Sequence, residues 1–130
     1  MKEKKTMKIA LIIVRSLMGL LFLFSSIAFL FKLITPPELT GAMKIFSSGL
    51  EASVYLLPTV KIIELICGIA FLSGRFVALA AVLISPIIVN IFFVHVFLDP
   101  AGLPLAIFLV LANSFVAYNH RESYKPLLKM

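Results

Sequence analysis

The sequence predicts an all-α membrane protein, a four-transmembrane-helix bundle with a short amphipathic segment between helices 1 and 2. Three observations predict it. Apolar residues make up 62% of the 130-residue chain and charged ones only 14%, against about 45–50% and about 25% in soluble globular domains. Mean hydropathy is +1.12. The apolar residues fall into four runs divided by polar or Gly/Pro breaks, and in lipid a run of that length satisfies its backbone only as a helix. The length suits one domain, commonly about 100–150 residues. No Gly/Ser or charged linker divides the chain, so residues 1–130 are read as a single membrane domain.

The first run, Ile9 to Ile34, exceeds the about 20 residues a spanning helix needs. Arg15 and Lys32 lie near its two ends, where long stems can snorkel. Lysines ahead of it and Ser26-Ile27-Ala28 within it imitate a secretory signal, but the apolar core is too long for one and apolar residues continue beyond it. A polar break follows from Thr35 to about Ser53. Thr35-Pro36-Pro37-Glu38 has the form of a capping box and predicts a helix start there. Leu39, Met43, Phe46 and Leu50 then recur at helical spacing opposite Thr40, Lys44 and Ser48, an amphipathic pattern suited to the interface or the bundle mouth.

The second span runs from about Pro58 to Ser73, and its roughly 16 residues cover about 24 Å, short of a bilayer core of about 30 Å. Residues 53–57 can extend it as a turn before Pro58. The third, Phe76 to Leu98, contains Pro86, which frees the carbonyl of Val82 and predicts a kink. Asp99-Pro100-Ala101-Gly102 supplies a tight turn, and the fourth span runs from Pro104 to about Tyr118.

The formal net charge is +6, yet Lys2, Lys4, Lys5 and Lys8 precede the first span and Arg121, Lys125 and Lys129 follow the last. These are topology signals, and no interleaved basic and aromatic surface suggests nucleic acid. With Arg75, they make one side richer in Lys and Arg than the side of Lys32, Lys44 and Lys61, so both termini are expected in the cytoplasm and the protein in the cell membrane.

Glu64 lies within LLPTVKIIELICGIAFLSGR, where an ionisable residue marks a functional site unless it is merely paired. At 1.5 Å per residue it sits about 9 Å below the outer end of span two, and Asn90 about 12 Å below that of span three. Ser25 and Ser26 lie at comparable depth, with His95 and Lys61 above them, which predicts an outward-facing polar pocket. Lys61, Glu64, Cys67, Gly68 and Phe71 form one helical stripe, with Lys61 or Arg15 as the ion partner of Glu64. Asn90 and His95 stand about 140° apart on an ideal helix, so the two face one spot only if the Pro86 kink rewinds it. Ser25, Ser26 and Asn113 are also read as helix-packing glue.

His95 and His120 belong to opposite ends of the bundle, so one chain does not supply a bis-histidine haem, and no cluster of zinc ligands or catalytic constellation is present. The single Cys67 leaves no dithiol, so no catalytic residue is assigned.

Arg15-x-x-x-Gly19-x-x-Phe22-x-x-Ser25, Glu64-x-x-x-Gly68-x-x-x-Leu72-x-Gly74-Arg75 and Asn90-Ile91-Phe92-Phe93-Val94-His95 together resemble the DoxX family of small four-helix membrane proteins, over nearly the full length. Ser26 stands where that family's Ser-Gly pair has glycine. The resemblance implies an accessory subunit of a membrane redox system that holds a quinone headgroup or other small amphiphile at Glu64 and Asn90, with walls from Phe22, Phe71 and Phe93. A redox protein or a second copy of the chain is the partner it suggests. The alternative is a non-catalytic scaffold or small transporter component in which Glu64 is only paired.

Overall fold

The computed structural model describes residues 2–35 and 37–129. Five α-helices follow one another: α1 (Lys2–Leu30), α2 (Gly41–Ala52), α3 (Leu56–Ser73), α4 (Val77–Phe97) and α5 (Leu103–Asn119), with 3-10 turns at Pro100–Gly102 and Arg121–Leu128. No strand occurs among the described residues. Four of the helices are long and apolar enough to cross a membrane. Their outward faces carry half-exposed Leu17, Leu20, Ile66, Leu83 and Leu111, as lipid contact requires. The protein is an all-α membrane bundle.

The spans fall close to their predicted places and differ from them at their ends. Helix α1 starts at Lys2 rather than Ile9, because Lys and Glu are good helix formers and carry the helix past the apolar run. It ends at Leu30, since Lys32 takes a left-handed φ of 54° and the amides of Lys32 and Leu33 donate back to the carbonyls of Phe29 and Ala28. The capping box does not start α2. Thr40 is the residue before the helix, extended at φ −134° and ψ 162°, and Gly41 makes the turn at φ +63°. Proline lacks an amide donor and disfavours helix in the residue before it, which delays the helix; Pro36 itself lies outside the described residues. Leu39, Met43, Phe46 and Leu50 are half-buried and Thr40, Lys44 and Ser48 exposed, so the predicted amphipathic face is the one that packs.

Helix α3 gains Leu56 and Leu57 ahead of Pro58, which occupies its first turn; 18 residues then cover about 27 Å. Ser53 joins α2 to α3, donating to the Leu50 carbonyl at 2.6 Å and accepting from the Leu56 amide at 3.2 Å. Helix α4 runs unbroken through Pro86.

Two contacts set α1 against α3. The Arg15 guanidinium donates to the carbonyls of Phe71 at 2.6 Å and Leu72 at 3.3 Å, groups that the end of α3 leaves without helical partners. Gly74, at φ +77°, returns its own amide to Ala70 O and lies directly over the guanidinium. Arg15 is therefore a cap on α3, not an ion partner of Glu64. Further along, Gly19 and Gly68 face each other: a Cβ at Gly19 would stand 2.9 Å from Gly68 O, and one at Gly68 3.1 Å from Gly19 O. Only glycine permits this approach.

The core gathers toward the end of the bundle that holds both chain termini. It comprises Met18, Phe22, Cys67, Phe71, Ala80, Ile84, Leu109 and Val116, among others. Asn113 ties α5 to α4 there, donating to Ala81 O at 3.2 Å and Ser85 Oγ at 3.1 Å. Tyr124 latches the C-terminal segment to α4 through its hydroxyl, 2.8 Å from Ala78 O; burial pushes this phenol above its usual pKa, so it keeps the proton it donates.

Candidate functional site

At the opposite end, the loop side, the helices enclose a cavity of about 490 Å³. All five helices contribute: Phe22, Phe24 and Ser25 from α1, Met43 and Phe46 from α2, Lys61 and Glu64 from α3, Asn90 and His95 from α4, and Leu105 and Leu109 from α5. Its walls are predominantly apolar, with a few convergent polar groups.

Glu64 is the deepest of those groups, at 3% exposure. The α3 stripe explains its burial: Glu64, Cys67, Gly68 and Phe71 all face inward, and the Gly19–Gly68 approach one turn below draws α1 over them. Lys61 Nζ lies 3.0 Å from Glu64 Oε2. The same ammonium donates to Ser25 Oγ at 2.8 Å and rests 5.8 Å from the Phe29 ring centroid. Lys61 is the one donor near Oε2 among the described residues. A carboxylate this buried is held by charge attraction, with hydrogen-bonding capacity left over.

Asn90 lines the same cavity from α4 and makes no hydrogen bond among the described residues; it is also exposed along one edge. His95 lines the far edge of the α4 wall. Its Nδ1 lies 3.0 Å from the Asp99 carbonyl and 3.7 Å from the Asp99 carboxylate, with the ring packed over Gly102, where any Cβ would overlap the imidazole. The α4 wall comprises Ile87, Asn90, Ile91, Val94 and His95, an arc of about 140° on an ideal helix. Asn90 and His95 are its two edges, so both reach the cavity with no rewinding at Pro86.

The structure thus brings Glu64, Lys61, Ser25, Asn90 and His95 to one cavity. It does not bring Ser26, whose hydroxyl donates to Phe22 O at 2.7 Å and Leu23 O at 3.1 Å inside α1, at 0% exposure. Serine fits where glycine was expected because its hydroxyl folds back on its own helix. Phe71 and Phe93 are not walls: Phe71 is fully buried in the core and Phe93 is half-exposed on the outer surface. Phe24 and Phe46 take that place beside Phe22. Phe46 was legible as apolar periodicity, but a pattern on one helix does not say which neighbour it meets.

Among known proteins, the family model that matches this chain is that of DoxX, over residues 10–97, which holds α1 from Ala10, all of α2 and α3, and α4 to its end. No curated protein and no solved structure matches.

Proposed function

This integral membrane protein belongs to the DoxX family, and on that premise we propose that its loop-side cavity binds the headgroup of a quinone or similar small amphiphile for a membrane redox system. One observation carries the reading: a carboxylate at 3% exposure that ends in an apolar-walled cavity with hydrogen-bonding capacity unspent. A carboxylate whose one charged partner is Lys61 keeps acceptor lone pairs open, so it fits an incoming donor. The volume of about 490 Å³ lies within the about 300–1,000 Å³ of small-molecule pockets.

The chemistry of the pair suits a quinone. Lys61 offers a donor, Glu64 an acceptor, and Asn90 both. A ring carbonyl accepts from Lys61 or Asn90, and the hydroxyl that replaces it on reduction donates to Glu64. The chain has one cysteine and no dithiol, so electrons come from a partner protein and this subunit supplies the site. The Lys and Arg excess on the terminal side supports cytoplasmic termini in the cell membrane; the cavity then faces the opposite side.

A second reading has its own observation. Lys61 bridges Glu64 on α3 to Ser25 on α1, which is what a purely structural tether would do. The test is equilibrium binding of a benzoquinone to protein in lipid nanodiscs. We expect Glu64→Gln to weaken it by about tenfold, the loss of one hydrogen bond to a charged group. Equal binding by wild type and Glu64→Gln favours the tether.

A further inference from the structure

A second cavity, of about 350 Å³, adjoins the first and shares Phe46, Leu57, Val60, Ile87 and Asn90 with it. It adds only Leu50, Leu56 and Pro86, so Asn90 is its one polar side chain. These residues lie on α2, α3 and α4, which makes it a groove between α3 and α4 beneath α2.

The fold explains why the helices part there. A left-handed turn at Gly74 and Phe76 pins α3 to α4 at the terminal side, where Cys67 Sγ also approaches Ala80 O at 3.7 Å. Toward the loop side the packing lapses: α3 has no buried residue before Glu64, and α4 none after Ile88. Helix α2 covers the gap, its backbone approaching that of α3 rather than α4. Asn90 stands seven residues before the end of α4, about 10 Å below it and so at hydrocarbon depth. There an amide with no partner, exposed along the gap, is costly until a ligand's polar atom reaches it.

We infer that the cavity is filled sideways from the bilayer between α3 and α4. The ligand is then a lipid-borne amphiphile whose polar ring lies at Glu64 and Lys61 and whose alkyl or isoprenoid tail runs past Asn90 into the groove between Leu56 and Pro86. This rests on the reading of the first cavity as a headgroup site, and it separates a tailed membrane substrate from a water-borne solute. Continuity of the two cavities carries it: a ring seated at Glu64 leaves an apolar groove between α3 and α4 adjoining it, of the right character for the tail.

The test compares one benzoquinone ring without a tail and with a decyl tail, by calorimetric titration into the full chain in nanodiscs at equal mole fraction in the bilayer. Leu50→Trp and Leu56→Trp fill the groove without touching the first cavity's lining, and both sites are half-buried or exposed, so the fold tolerates the bulk. Leu105→Trp adds the same bulk to the α5 wall of the first cavity, away from the groove. The expected result is about a tenfold loss for the tailed compound in the first two variants, from overpacking against the tail, with the tail-less ring within about twofold of wild type. That retained ring binding also reports an intact fold. Equal effects on both compounds, no effect on either, or a tail-selective loss confined to Leu105→Trp overturns the lateral route. Wild type that binds neither compound removes the headgroup reading itself, and the route with it.

Discussion

Replacing Arg15 with methionine removes the guanidinium from the end of α3 while keeping an apolar stem of similar reach. Two carbonyls lose their donor. The bond to Phe71 O, at 2.6 Å, is short and charge-assisted, whereas that to Leu72 O, at 3.3 Å, is past the usual range and counts for little. A hydrogen bond to a charged group contributes about 1.5–3 kcal/mol, and a buried carbonyl left unpaired costs about 1–3 kcal/mol. These are two views of one interaction, not a sum. Relief from holding a half-buried charge offsets part of it, so Arg15→Met is expected to cost about 2 kcal/mol. Arg15→Lys keeps one point donor for Phe71 O but not the planar fork, and about half that cost is expected. Reversible unfolding in mixed micelles, followed by far-ultraviolet circular dichroism, gives both values. Faster amide exchange at Gly74 and its neighbours should accompany the loss, because the Gly74 turn rests on the guanidinium. A methionine variant within about 0.5 kcal/mol of wild type, the range of an ordinary surface substitution, would refute the assignment of Arg15 as the cap.

Three further predictions concern the bundle. A Cβ at Gly68 would meet Leu23 Cγ at 3.0 Å and Gly19 O at 3.1 Å, so Gly68→Val should destabilise by about 2 kcal/mol or more. Gly49→Ala, where a Cβ meets nothing, should be neutral or stabilising by up to about 1 kcal/mol on the same unfolding assay. Asn113 donates to Ala81 O and Ser85 Oγ, yet its Oδ1 is buried without a partner; Asn113→Leu gives up the bonds and relieves that oxygen together. A double-mutant cycle with Ser85→Ala should therefore show a coupling of only about 0.6 kcal/mol, as is common for polar contacts between membrane helices.

Much of the architecture was legible because hydropathy and turn chemistry are local. Pro104 and the Asp99–Gly102 turn gave the start of α5 within a residue, and the α3 stripe put Glu64 on the inward face. What eluded the sequence depends on neighbours. Arg15 looks like a snorkelling residue until α3 is seen to end beside it. Thr35 and Glu38 have capping-box spacing, but the prolines between them override it. Ser25 and Ser26 stand about 100° apart on a helix, so one of the two had to turn away from Lys61. Which one depends on where α3 crosses α1, and that crossing is set by the Gly19–Gly68 contact. Asn90 was read as level with Glu64, and it lines the same cavity, but its exposure comes from the splay of α3 from α4, which no helical wheel contains.

The central claim is that Lys61 and Glu64 are kept for a ligand and not for the fold, and the Glu64→Leu, Lys61→Leu double variant separates the two. A buried ion pair replaced by apolar residues of similar volume often leaves stability unchanged or raises it by about 1–4 kcal/mol. The account therefore predicts unfolding at or above the wild-type free energy together with loss of benzoquinone binding, both measured on the same nanodisc preparation. A double variant that binds the quinone as wild type does, or one that loses the fold, would contradict it.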